Sequence, residues 1–156
     1  MAGFVKELLL RNDAIEFVTR ALNFPWQFQP DTLPLEKAYG RFIQNSYSSP
    51  EDHPPRSRSL RDGFAVRASD LTGASGSSPA FLQKIGEVPM GAFPEISIDL
   101  LQAAEIHTGG FLPQGSDAVV MLEDTSRAAD WVEVRKSVQV GENVLRQGEE
   151  MARGER

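Results

Sequence analysis

Between Gly63 and Val144 the chain reads as short apolar runs punctuated by glycine and proline. A buried helix needs about ten to twelve residues of unbroken helical periodicity, and no stretch of this half supplies it. Short apolar runs bounded by turn residues read as strands. The spacing predicts six: Phe64–Arg67, Phe81–Glu87, Ala103–Thr108, Ala118–Glu123, Trp131–Val134 and Ser137–Val140. Ala118–Met121 is apolar throughout and reads as a buried strand. The Gly- and Ser-rich segment Leu71–Pro79 reads as an exposed loop.

The N-terminal part has a different grammar. Asp13 and Glu16 have capping-box spacing, and Ile15, Val18, Ala21 and Leu22 recur at helical intervals. This predicts a helix near 14–22, with another turn or two over 4–10. Asn23, Phe24 and Pro25 end it, because proline cannot continue a helix and restricts the residue before it. A second short helix is expected over Leu35–Tyr39, with Gly40 as its left-handed cap. An extended stretch follows Arg41, anchored by Phe42 and Ile43. Residues 48–59, SSPEDHPPRSRS, hold three prolines and four serines and read as a loop or linker. The expected fold class is α+β, mostly β: a helical N-terminal arm (1–47), a small β-rich domain (48–145) and a polar segment (146–156) whose one core candidate is Met151.

Charge and composition exclude several functions. The net charge of −6 and the lack of a dominant basic cluster argue against a nucleic-acid partner. No apolar run reaches the roughly 18 residues of a membrane span, and the N-terminus has no signal-peptide pattern. There is no cysteine, so disulfides and thiolate sites are excluded, which fits a cytoplasmic location. His53 and His107 are far apart and read as structural; no zinc-type ligand spacing occurs.

Four segments carry candidate chemistry. In the first, Ser59–Asp70 (SLRDGFAVRASD), Asp62 precedes Gly63 at a tight turn. It reads either as a turn carboxylate or as one held at a loop tip to bind a metal or orient a polyanion. In the second, Ile106–Pro113 (IHTGGFLP), Thr108 stands before Gly109 and Gly110, where backbone N–H groups are able to approach an oxyanion; an ordinary turn is the alternative. The third, Gly115–Thr125 (GSDAVVMLEDT), has Asp117 capping a turn before the apolar run, with Glu123 and Asp124 at a solvated strand end. The fourth, Gly141–Glu150 (GENVLRQGEE), closes on Glu149 and Glu150, which also read as a charged surface. Arg61 adjoins Asp62; Arg56 and Arg58 read as solvated loop arginines.

Together, and in this order, the four segments resemble the S-x-x-DGYAVR-x-x-D, TGA-x-(I/V)-P, G-A-D-A-V-V-x-x-E-x-T and G-x-N-(I/V)-R-x-x-G-E-D elements of the molybdopterin molybdenumtransferases, the family of bacterial MoeA and the E domain of gephyrin. Leu33–Arg41 also resembles this family, and the resemblance runs from about Asp13 to Gly154. It implies a barrel-like, twisted-sheet second domain inserted into an elongated first domain, with 146–156 starting the return into the first. It implies transfer of molybdenum from molybdate to adenylylated molybdopterin with release of AMP, a Mg²⁺ requirement and a homodimer. Asp62 and Thr108 would then be catalytic, Asp62 also as a metal ligand. Ser59, Arg61, Gly109, Glu149 and Glu150 would bind substrate. Gly110 stands where the family has alanine, and Glu150 where it has aspartate. The family's third-domain S-T-G-D-E-L and P-G-N-P segments do not occur, so this chain is expected to be inactive alone. The alternative is a non-catalytic β-rich dimerisation or scaffold module; direct molybdate sensing is a third reading.

Overall fold

The computed structural model describes residues 10–22 and 29–156, which fall in two compact units, Met1–Ser46 and Tyr47–Arg156. In the first unit, helix α1 spans Arg11–Ala21. It starts earlier than the capping-box spacing suggests: Leu10 is the cap and Asp13 lies within the first turn, making no side-chain cap bond. A carboxylate there still faces the positive end of the helix dipole. The Glu16–Arg20 ion pair, at 2.5 Å, spans one turn. No residue of α1 is buried. Leu22 caps its C-terminus, and the expectations for 4–9 and Asn23–Pro25 lie outside the described residues. The second helix is a single 3-10 turn, Leu35–Lys37, and Gly40 has φ +75°. Phe42 and Ile43 are not anchors within this unit, since both are exposed.

The second unit holds eight strands: β1 Arg58–Ser59, β2 Gly63–Val66, β3 Ala80–Glu87, β4 Gln102–Ile106, β5 Ala118–Met121, β6 Thr125–Ala128, β7 Trp131–Val134 and β8 Val144–Leu145. Six form a curled half-barrel sheet in the order β5-β2-β4-β3-β7-β6, while β1 and β8 pair separately. The only parallel neighbours in the six-stranded sheet are β3 and β4. The mostly β architecture read from the sequence is what the structure shows.

Strand alternation builds a core on each face. Phe64, Val66, Leu82, Val120, Val132 and Val134 pack on one side, and Ala65, Ile106, Val119 and Val144 on the other. That explains why the central strands read as continuous apolar runs. Each large side chain so buried contributes about 1.5–3 kcal/mol relative to exposure.

Several sequence expectations change. Ser137–Val140 is not a strand, although Val138 is buried from it. The strand that exists instead is β6, whose polar TSRA sequence has no apolar alternation. Hairpin register supplies what hydrophobic pattern does not: Thr125 pairs with Val134 and Ala128 with Trp131, across a turn where Ala129 adopts φ +52°. The loop 48–59 is partly structural, since Pro54 and Ser59 are buried and Arg58–Ser59 forms β1. Leu71 belongs to the core, not to an exposed loop.

Met151 is also not a core residue, being 41% exposed. Segment 146–156 is held by polar bonds. The Ser49 N–H donates to Glu155 O (2.9 Å), and the Gly154 N–H to Ser49 O (2.8 Å). Asp52 accepts from the Arg153 N–H (2.8 Å) and from Gln147 Nε2 (2.7 Å). Among the described residues no helix is long and apolar enough to cross a membrane.

Candidate functional site

Asp62 sits where three strands end. Gly63, the next residue, pairs with Ile106 of β4 on one side and Met121 of β5 on the other. A Cβ at Gly63 would stand 1.9 Å from Val120 O, so only glycine lets β2 lie this close to β5. The Leu122 N–H donates to Asp62 O (3.2 Å). On the other flank, Ser59 Oγ donates to Arg61 O (2.5 Å) and accepts from the Arg61 N–H (3.2 Å). The Asp62 backbone is thus held from both directions while its side chain remains 56% exposed.

The carboxylate is held as well. The Thr108 backbone N–H donates to Asp62 Oδ1 at 2.8 Å. His107 Nδ1 lies 3.5 Å from the same oxygen, and its Nε2 lies 3.4 Å from Glu87 Oε1. The Thr108 N–H above all, with the Thr108 side chain and His107 behind it, holds the Asp62 carboxyl below its ordinary range against the opposing effect of desolvation. Asp62 is therefore a carboxylate at neutral pH with a fixed orientation.

The Thr108–Gly110 loop differs from the anion cradle read from its glycines. Its N–H groups are already used: Thr108 donates to Asp62, Gly109 to Ser59 O (2.8 Å) and Gly110 to His107 O (2.9 Å). The glycines serve shape instead. Gly109 has φ +86°, and a Cβ on Gly110 would meet Ile106 Cγ1 at 2.9 Å. What faces solvent is the Thr108 side chain, the Asp62 carboxylate and the exposed Arg61 guanidinium.

Fold and hydrogen bonds thus join Ser59, Arg61, Asp62, Thr108 and Gly109. Ser59 is buried, and its hydroxyl shapes the turn. Glu149 and Glu150 stand apart from this group. Glu149 accepts from the Arg146 N–H (2.8 Å), and Glu150 is ion-paired with Arg58 Nη2 (3.2 Å). Arg58 is accordingly not a free loop arginine. Glu87 gave no signal in the sequence, because the β3–β4 register that brings it near His107 contains a bulge after Lys84. His107 adjoins Thr108, and that adjacency was the available signal. Glu105, buried on β4 and bound by Lys84 and Arg127, was also missed.

Among the described residues no group of three His, Asp or Glu side chains stands ready to hold a metal ion. A dedicated cage is absent from this donor set. The Asp62 carboxylate fits the other manner in which Mg²⁺ binds, through one or two carboxylates completed by substrate phosphates and water.

The MoeA N-terminal region (domain I and II) matches residues 11–156. The molybdopterin molybdenumtransferase of Bacillus subtilis (strain 168) is 33% identical over 143 residues, covering 89% of this chain and 33% of the relative. Molybdopterin molybdenumtransferase 2 of Mycobacterium tuberculosis (strain ATCC 25618 / H37Rv) is 32% identical, covering 81% of this chain and 31% of the relative. The crystal structure of the molybdopterin biosynthesis moeA protein from Pyrococcus horikoshii OT3 superposes with a TM-score of 0.76 at 34% identity, over 80% of this chain and 33% of that one. The chain spans about a third of the length of the curated relatives it matches. A match over nearly all of the sequence, joined to a shared fold at this identity, places the chain in the family of the MoeA N-terminal region, domains I and II.

Proposed function

We propose that this chain serves molybdenum cofactor biosynthesis as part of a molybdenum insertase, which transfers molybdenum from molybdate to adenylylated molybdopterin and releases AMP. The observation that carries this reading is the Asp62 carboxylate, ionised, exposed and fixed by the Thr108 N–H at 2.8 Å. Relatives bearing the transferase name support the reaction class.

In this reading Asp62 and Thr108 present one wall of a cleft completed by another part of the enzyme, and the working form is a cytoplasmic homodimer. Asp62 would hold Mg²⁺, which would supply neutralisation of phosphate charge. Asp62 orients that charge, and the Thr108 hydroxyl turns from Asp62 to donate its one proton to a phosphate or oxoanion oxygen, the Thr108 N–H keeping its bond to Asp62. Arg61, exposed beside Asp62, offers a guanidinium to the same anion. Ser59 and Gly109 act by holding the two loops together. Neither Asp62 nor Thr108 acts as a nucleophile. Glu149 and Glu150 bind substrate only if they leave their partners at the Arg146 N–H and Arg58.

The test is AMP release by the native gene product that carries residues 1–156, given adenylylated molybdopterin, molybdate and Mg²⁺. Loss of turnover in Asp62→Ala with retained folding is the expected result. Unchanged turnover in that variant would remove Asp62 from the machinery. Absence of any turnover by the wild-type gene product would favour the scaffold module.

A further inference from the structure

A groove of about 830 Å³ lies away from Asp62, bounded by Pro55–Ser57, Leu112–Asp117 and residues from Val140 to Gln147. Its place follows from strand register. Gly63 pairs with Met121 near Asp62, whereas Val66 pairs with Ala118 beside Asp117, which lines the groove. Three residue steps of strand put these two ends on the order of 10 Å apart.

Two guanidiniums line the groove, Arg56 and Arg146, and neither has a carboxylate partner among the described residues. Each is seated by something other than charge. Arg56 Cζ lies 4.6 Å from the centroid of the Phe93 ring, which itself packs 4.6 Å from Phe111. Arg146 rests on the bare Cα of Gly141: a Cβ there would stand 2.7 Å from Arg146 Nη2, and Gly141 has φ +85°. A guanidinium held against a surface loses less freedom on binding than one waving in solvent. Exposed Val140 and half-buried Leu112 supply an apolar wall.

One carboxylate, Asp117, also lines the groove, and its Oδ1 accepts from the Ala68 N–H at 2.7 Å. The lining charge is then two positive against one negative, in a chain whose net charge is −6. Local excess of positive charge in such a chain, on planar donors of fork geometry, suits an oxoanion. The volume exceeds what a bare ion fills, and the apolar wall suits an organic group attached to it.

We propose that this groove is an anion site for phosphate or a phosphate ester, held between Arg56 and Arg146 and separate from the Asp62 loop. It is independent of the insertase reading. The guanidiniums clamp the phosphoryl oxygens, and the Val140 and Leu112 wall takes an apolar substituent.

The test is a ¹⁵N NMR titration of the full chain with inorganic phosphate and with phenyl phosphate, at constant ionic strength. Saturating shifts are expected at the Ser57, Gln114, Gly141 and Gln147 amides. R56Q and R146Q should each weaken binding about tenfold, as loss of a charge-assisted hydrogen bond implies. D117N keeps the acceptor for Ala68, removes the opposing charge and should tighten binding. Tighter binding of phenyl phosphate assigns the site to an ester; equal binding assigns it to the free ion. Shifts that rise linearly without saturating overturn the proposal, as do affinities unmoved by R56Q and R146Q. The spectra of the variants report directly whether the fold is kept.

Discussion

The Thr108 N–H donates to Asp62 Oδ1 at 2.8 Å across a separation of 46 residues. This bond ties the start of β2 to the loop after β4 and sets the direction of an exposed carboxylate. Asp62→Asn retains an acceptor for Thr108 and removes the charge. In the native gene product it should lower turnover by about 10² or more, the scale of losing a preorganised electrostatic group, while the melting transition stays in place. Steady-state AMP release and a thermal melt on the same sample check both halves.

Gly63→Ala should damage the fold, not only the site. The added methyl would sit 1.9 Å from Val120 O, a backbone atom held in the β2–β5 ladder. Overpacking of this kind costs about 3 kcal/mol or more, since neither strand is free to retreat. Urea unfolding followed by tryptophan fluorescence measures it, and a midpoint equal to wild type would contradict the geometry.

Glu105 is buried between Lys84 and Arg127, with Lys84 Nζ 2.6 Å from its carboxylate. The Lys84 hydrogen bond, with Arg127 and Lys84 charge behind it, keeps its carboxyl below the ordinary 4.5. Glu105→Gln should cost about 1–3 kcal/mol at pH 7, the lower figures applying because Arg127 is half in water. A depressed native pKa adds stability above the unfolded value and loses it as pH falls through the native one. The gap between wild type and variant should therefore be full at neutral pH and close progressively below pH 4.5. Denaturant melts at pH 7 and pH 3.5 provide the comparison.

Asp52 binds the C-terminal segment to the loop before β1. The Arg153 N–H first, then the Gln147 amide, holds its carboxyl below the ordinary 3.8. Asp52→Ala should speed hydrogen exchange at Arg153 and its neighbours while leaving Val119 and Val120 protected. The same acceleration should appear in the wild type as pH drops below 3.8, after correction for intrinsic exchange. Equal protection of Arg153 in both proteins would show that Asp52 does not hold the segment.

The sequence alone determined the β-rich class, most of the strand positions and the family. Those features depend on local information: where glycine and proline break the chain, which runs are apolar, and four motifs in order. Asp62 and Thr108 were singled out from the same motifs, and the fold sets them in contact. Pairing was not legible. Strand β6 carries polar residues and exists because β7 offers it a ladder, and β1 with β8 is two residues long on each side. The sequence also left open whether the backbone N–H groups of Thr108, Gly109 and Gly110 face a ligand; in the fold all three bond within the protein. The Glu87–His107–Asp62 approach and the buried Glu105 belong to tertiary structure alone, since each depends on a register between distant strands. Hydrophobic period shows which side chains turn inward. Which strand lies beside which, and therefore which polar groups meet, is decided only when the sheet closes.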